Sequence, residues 1–253
     1  MTIRCYRSDR TISAGGLSLG AEPRIVAVVA APDVEATARK AGAQGADLIE
    51  VRLDRDPRLD PERAHAAVVA AKAAAGLPVI ATIRLAAELG EWSGSEAARL
   101  AIFEAVAHDA DLLDVELAAR EIRERVVELC ARAGKLSIAS CHDLQGTPPA
   151  ATMTALAAEA VVALGADVFK ICPTPRGPVD VARLLSFVQS FRDRYERAQI
   201  VGMALGAEGS TSRIMGPVFG SCMTYGFVEG DAPAAPGQLS IRALREAYST
   251  SSS

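Results

Sequence analysis

The sequence predicts an α/β protein, a (β/α)8 barrel of the TIM type folded as a single domain. Short apolar, β-branched runs alternate eight times with longer, Ala-rich amphipathic stretches, the pattern of strands that each hand over to a helix and return parallel. No long unstructured insert interrupts this alternation. At 253 residues, half of them hydrophobic, the chain has the length and the core material of one barrel. An open doubly wound sheet is the alternative that the same alternation allows.

Residues 1–22 stand outside the repeat, and Gly15-Gly16 between Thr2–Tyr6 and Leu17–Leu19 predicts a hairpin that closes the barrel floor. The barrel itself is expected over 23–248. Its first strand is read over 24–30 with a helix over 33–43, and its second over 47–53 with a helix over 60–75. Gly76-Leu77-Pro78 ends that helix and opens the third strand, 78–84. A helix over 94–109 leads to a strand over 111–117. The next helix, 119–133, stops at Ala133-Gly134-Lys135, where a strand over 135–141 begins. A helix over 149–164 runs into Leu164-Gly165-Ala166-Asp167 and a strand over 166–171. Helix 178–196, strand 199–204, a short turn of helix near 210–215 and strand 218–224 follow. Pro236-Gly237-Gln238 places a rigid turn and an amide before the last helix, 238–248. The Ser-rich end, 249–253, is expected to be disordered.

Net charge is −4, with acids and bases interspersed and no basic block, so nucleic acid is not an expected partner. Five widely spaced cysteines without a C-x-x-C pair point to reduced thiols in a cytoplasmic protein rather than to disulfides or a zinc site. Charges stand in the first residues where a secretory signal needs its apolar stretch. Apolar runs such as Ile25–Ala31 are too short to span a bilayer, so no membrane association is expected.

The chemistry is expected where the strands end. The apolar run Ala166–Pro173 carries Lys170 into a poor environment for charge, which predicts a pKa drawn down toward the neutral, nucleophilic amine. One βα unit earlier the run Leu136–Cys141 delivers His142 and Asp143, and amine plus imidazole is the equipment for imine chemistry. On the second strand, period-two alternation puts Glu50 and Arg52 on one face, pointing inward if Val51 and Leu53 meet the helices. The third strand ends in Arg84, with Glu88 four residues on, and the fourth carries Asp114 and Glu116. Each has a plain structural alternative: a strand-end lysine reaching to solvent, a Glu-x-Arg ion pair, an arginine capping a carbonyl, an aspartate in a turn. Their coincidence at one end of five consecutive strands is what those alternatives leave unexplained, because interior charge is costly unless paired or used. Gly209–Ile214 reads as a turn that opens a helix and offers its amides to an anion, without a phosphate-loop or dinucleotide signature. His65 and His108 lack ligand spacing, and no metal, nucleotide or redox cofactor is expected.

These residues resemble the type I 3-dehydroquinate dehydratases. The matching signatures are Asp47-Leu48-Ile49-Glu50-Val51-Arg52, Ala81-Thr82-Ile83-Arg84, Ser140-Cys141-His142-Asp143, Val168-Phe169-Lys170-Ile171, Ser212-Arg213-Ile214 and Ala235-Pro236-Gly237-Gln238-Leu239-Ser240, in order over about residues 24 to 246. The resemblance implies Lys170 as the Schiff-base residue, His142 as the acid/base and Glu88 as the carboxylate that orients it. It further implies Glu50, Arg52, Arg84, Arg213, Tyr225, Ala234 and Gln238 around a small anionic substrate, 3-dehydroquinate, in a homodimer. Tyr225 stands where the family usually has a phenylalanine. Ala234 replaces a serine found in many members, and Val28 one found in some, which puts hydroxyl contacts at those points in doubt. On this reading Lys170 converts the ketone to an iminium, a better electron sink, and His142 removes the α proton and returns it to the departing hydroxyl. A class I aldolase acting on a phosphorylated sugar shares the lysine and the fold, and a barrel that binds without turnover shares the pocket. The first would release no conjugated enone; the second would leave the lysine untouched by substrate and a hydride reductant.

Overall fold

The computed structural model describes Cys5, residues 10–231, Pro233 and residues 237–248. Its strands are β1 (Ile12–Ala14), β2 (Leu17–Leu19), β3 (Arg24–Ala30), β4 (Leu48–Arg52), β5 (Val79–Thr82), β6 (Leu112–Glu116), β7 (Leu136–Asp143), β8 (Val168–Pro173), β9 (Gln199–Gly202), β10 (Met223–Phe227) and β11 (Leu239–Ser240). The helices are α1 (Val34–Ala43), α2 (Pro61–Ala75), α3 (Glu96–Val106), α4 (Arg123–Ala133), α5 (Ala150–Ala158), α6 (Pro178–Arg194), α7 (Ser210–Met215) and α8 (Ile241–Tyr248). Strands β3 to β11 form one curled parallel sheet of nine strands in the order β11-β10-β3-β4-β5-β6-β7-β8-β9. Helices return the chain between most of these strands, the connection that parallel neighbours require.

Register and period explain where the polar residues lie. Val26, Leu48, Ile80, Leu112, Ile138 and Val168 pack together as one buried apolar layer inside the curl. Their neighbours Ile25, Ile49, Val79 and Leu113 belong to a separate cluster with α1 to α4. Two residues further along each strand, on the same inward face, come Val28, Glu50, Thr82, Asp114, Ser140 and Lys170, several of them direct partners across the ladders. The helix-facing side chains hold β8 in place. Phe169 stacks on Phe191 of α6 at 6.1 Å between ring centroids and meets Phe187 edge-on at 6.4 Å, so Lys170, the next residue, faces inward.

The ends of the curl meet at β9 and β10 without a ladder. Cys222 N–H donates to the Ile200 carbonyl at 2.8 Å, and Ser221 Oγ accepts from Gly202 N–H at 3.2 Å while donating to the Met223 carbonyl at 2.9 Å. The eight expected strands are therefore joined by a ninth, the short β11, which pairs with β10 at Gly226–Phe227.

Several boundaries differ from expectation, each for a local reason. The strand read over 218–224 begins at Met223, because Pro217 sits in a 3-10 turn, Gly216–Phe219, closed by Gly220 at φ 107°. A Cβ at Gly220 would lie 2.6 Å from Arg192 Cγ, so the turn needs glycine there. Helix 238–248 starts at Ile241, its first residues having joined the sheet. Leu17–Leu19 pairs with Ile12–Ala14, and the segment Thr2–Tyr6 expected opposite it lies, apart from Cys5, outside the described residues. Ala14 and Leu19 are buried in the inner apolar layer. The expectation of disorder over 249–253 also falls outside the described residues. Among the described residues no helix is long and apolar enough to cross a membrane.

Candidate active site

Lys170 is 3% exposed and held by carboxylates. Its Nζ lies 2.9 Å from Asp114 Oδ2, 3.3 Å from Glu50 Oε1 and 4.4 Å from the ring centroid of Tyr225. Burial lowers the pKa of the ammonium, but the charges of Asp114 and Glu50 outweigh it and raise the pKa above that of an ordinary lysine. This overturns the expected downward shift. The apolar flanks Phe169 and Ile171 face the helices, and the side chains closest to the amine are anions.

Asp114 is the site residue that sequence reasoning left without a role. Burial would raise its carboxyl, but Arg84 and Lys170 push it well below the usual range, and the Ser140 hydroxyl donates to Oδ1 at 2.6 Å. Its signal in the sequence was the Asp-x-Glu pair at inward-facing positions of β6. Arg84, 2% exposed, gives Nη2 to Asp114 at 2.8 Å and Nη1 to Glu116 at 3.0 Å. It also donates to Ser140 Oγ at 2.6 Å. Glu50 accepts from Thr82 Oγ1 at 3.1 Å.

His142, on β7, is tied to Glu88 twice. Glu88 Oε2 accepts the His142 backbone N–H at 2.9 Å and lies 2.9 Å from Nδ1. The loop 85–92 presents Glu88. Leu85 N–H donates to Glu116 Oε1 at 2.9 Å, Glu88 and Gly90 N–H both donate to the Leu85 carbonyl at 2.9 Å, and Trp92 N–H donates to the Arg84 carbonyl at 3.1 Å. A Cβ at Gly90 would fall 2.0 Å from that Arg84 carbonyl oxygen, so a side chain there would break the loop. Burial, with Glu116 adding to it and Arg84 opposing it, pushes the Glu88 carboxyl up to about 7. Burial, then the charges of Arg84 and Lys170, hold His142 well below the ordinary imidazole range. The imidazole is neutral at pH 7. With Glu88 ionised, Nδ1 carries the proton and Nε2 is the basic nitrogen.

The arginines divide into paired and unpaired. Arg52 grips Asp54 in a fork, 2.9 Å from Nε to Oδ1 and 2.8 Å from Nη2 to Oδ2, and reaches the Leu89 carbonyl at 3.3 Å. Among the described residues Arg213, 2% exposed on α7, has Met203 Sδ at 3.3 Å and the Tyr225 carbonyl at 3.4 Å as the only partners of Nη1, and its Nε has none. Among the described residues no carboxylate lies within ion-pair distance of it. Burial lowers its pKa. Ser212 secures this helix, accepting from Ala204 N–H at 2.7 Å and donating to the Gly209 carbonyl at 2.6 Å. Tyr225 is 3% exposed, and among the described residues its hydroxyl has no partner of hydrogen-bond geometry, Lys170 Nζ lying over the ring.

All of the expected site residues except Ala234, which lies outside the described residues, line one cavity of about 220 Å³. Lys170, His142 and Glu88 share it with Glu50, Arg52 and Arg84, and with Arg213, Tyr225 and Gln238. Val28 lines it as well. Sequence reasoning missed its apolar members Leu89, Cys172, Met203 and Leu205, which carry no chemical signal. Asp143 is a turn residue, its Oδ1 accepting from Gln145 and Gly146 N–H at 2.8 and 3.2 Å. His65 and His108 are exposed and away from the cavity. Among the described residues no group of His, Cys, Asp and Glu is arranged to hold a metal ion.

Comparison with known proteins gives consistent results. The type I 3-dehydroquinase family model matches residues 25–253. A 3-dehydroquinate dehydratase of Methanosarcina acetivorans is 36% identical over 236 residues, 92% of this chain and 96% of that protein. One from Klebsiella pneumoniae is 36% identical over 210 residues, 80% of this chain and 81% of that protein. Among solved structures, 3-dehydroquinate dehydratase of Geobacillus kaustophilus superposes with a TM-score of 0.89 at 29% identity, covering 98% of this chain and 97% of that one. Type I 3-dehydroquinate dehydratase of Clostridium difficile, solved with covalently modified comenic acid, gives 0.88 at 25% identity, covering 96% and 98%.

Proposed function

The chain belongs to the type I 3-dehydroquinase family, and on that premise we propose that it removes water from 3-dehydroquinate, giving 3-dehydroshikimate, through an imine on Lys170 with His142 as acid and base. One observation carries the reading. A buried lysine, a neutral histidine braced by a carboxylate, and a buried arginine with no carboxylate partner among the described residues face the same cavity.

Arg213 supplies the anion site. A buried guanidinium without a counter-ion is incomplete until an anion arrives, and its planar fork suits a carboxylate. The net negative charge of the chain does not oppose this, because the local field decides capture. Glu50, Arg52, Arg84 and Gln238 complete the surroundings of the substrate, and Ala234 belongs to the same reading.

Lys170 rests as an ammonium, so a proton must leave before the nitrogen can attack the ketone. Neutral His142 is the base we assign to that transfer. The C–N bond then forms, His142 hands the proton it took to the carbonyl oxygen, a second N–H proton follows, the oxygen departs as water, and a cationic iminium remains beside a neutral His142. Asp114 and Glu50, which oppose deprotonation of the resting amine, stabilise this iminium charge in a site shielded from solvent. His142 takes the α proton and returns it to the leaving hydroxyl. Glu88 keeps the ring oriented and stabilises its transient charge. Hydrolysis of the product imine frees Lys170. The covalently modified ligand in the Clostridium difficile neighbour supports a covalent reading of such a pocket. The same reading takes the enzyme to be a cytoplasmic homodimer that needs no cofactor.

Incubation with 3-dehydroquinate and borohydride, followed by peptide mapping, tests the proposal. The expected result is a reduced adduct on Lys170, with enone absorbance appearing when reductant is omitted. An unaltered Lys170 peptide would remove the imine from the mechanism.

A further inference from the structure

We propose that Arg99, on the outer helix α3, is a positioning residue for catalysis, holding in place the three consecutive residues Ile83, Arg84 and Leu85 on which the Lys170 pairing and the Glu88 loop depend. The inference rests on the reaction assigned above.

Arg99 is completely buried on the apolar stripe of α3, beside Leu100, Ile102, Phe103 and Val106. A guanidinium at such a position is costly unless each of its donors is used. All three nitrogens have partners. Nε donates to the Ile83 carbonyl at 2.9 Å, Nη1 meets Glu96 at 3.2 and 3.3 Å, and Nη2 pairs with Glu116 Oε2. The guanidinium carbon also lies 5.7 Å from the Phe103 ring centroid.

Glu116 passes this anchoring inward. Its other oxygen, Oε1, accepts from Arg84 Nη1 at 3.0 Å and from Leu85 N–H at 2.9 Å. Arg84 in turn reaches Asp114, the carboxylate 2.9 Å from Lys170. Leu85 opens the loop whose Glu88 holds His142. One side chain outside the cavity therefore secures both branches of the machinery, directly at Ile83 and through Glu116 at Arg84 and Leu85. Its charge also matters. With Arg99 present Glu116 has a second cation, and Arg84 can serve Asp114; without it Glu116 competes with Asp114 for Arg84.

The test measures kcat, KM and melting temperature for wild type, Arg99→Met and the double variant Arg99→Met/Glu116→Gln, all assayed well below their melting points. Borohydride trapping with substrate counts competent sites. Arg99→Met is expected to lower kcat per competent site about 10- to 100-fold, the scale of a small displacement of catalytic groups, with KM changed less than about threefold since Arg213 is untouched. The double variant, which removes one buried charge of each sign, is expected to recover melting temperature but remain slow. Unchanged kcat per competent site in Arg99→Met, or turnover that returns together with stability in the double variant, would reduce Arg99 to a structural residue and overturn the proposal. Absence of enone and adduct in wild type would instead sink the assigned reaction, and this inference with it.

Discussion

Nζ of Lys170 lies 2.9 Å from Oδ2 of Asp114, whose other oxygen accepts the Ser140 hydroxyl at 2.6 Å. The resting amine is therefore a paired ammonium, and whatever deprotonates it must overcome that pairing.

Asp114→Asn removes one of the two carboxylates that hold the ammonium. The pKa of Lys170 should fall, so hydride trapping of the substrate adduct should set in at lower pH than in wild type. Lys170 and Arg84 would lose a buried counter-ion, a loss of about 3–5 kcal/mol in stability. A trapping profile that keeps its wild-type midpoint would show that Asp114 does not set the charge of the amine.

Glu88→Gln should change the pH dependence of stability. Glu88 is raised from 4.5 to about 7 in the folded protein, so the native state holds a proton that the unfolded chain has released between those values. Wild-type stability falls as pH rises through this window, by at most about 3 kcal/mol from this group. Glutamine does not titrate. Urea melts should find the variant gaining on wild type from pH 4 to pH 8, and a constant difference would contradict the assigned burial effect.

Arg213→Met should separate binding from stability. The guanidinium is buried with no carboxylate partner among the described residues, so an apolar side chain of similar length should leave the melting temperature equal or higher. Substrate affinity should drop about 10- to 100-fold, the worth of a charged hydrogen bond. Thermal melts check the first half and calorimetric titration into the folded variant the second, and undiminished affinity would move the anion site elsewhere.

Tyr225→Phe deletes a buried hydroxyl that has no hydrogen-bond partner among the described residues and keeps the ring beneath Lys170. Relief of that unsatisfied group should raise stability by about 1 kcal/mol, with the cation–ring contact retained. A lower melting temperature would reveal a partner for the hydroxyl in solution.

Much of the site was legible because a parallel strand shows its inward face every second residue. Glu50, Arg84, His142 and Lys170 could be placed at one end of the sheet from alternation and from the order of the runs, and all of them line the cavity. Boundaries were less legible where one residue redirects the chain. Pro217 and Gly220 moved the last long strand, and β11 exists only because Gly226 and Phe227 of β10 offer Leu239 and Ser240 an edge to pair with. Arg99 was passed over because a single charge on an apolar helix stripe has no meaning until its partner across the strand ends is known.

By itself the sequence determined the alternation that builds the curled sheet, the identity of the chemical groups and the end at which they gather, since these follow from local periodicity and chain order. The tertiary structure decided the protonation of those groups. Apolar neighbours in sequence pointed to a neutral amine at Lys170, yet those neighbours face the helices, while Asp114 and Glu50, 56 and 120 positions away along the chain, supply the charges that hold its proton. Electrostatic energy depends on distance through space, and only the folded chain sets that distance.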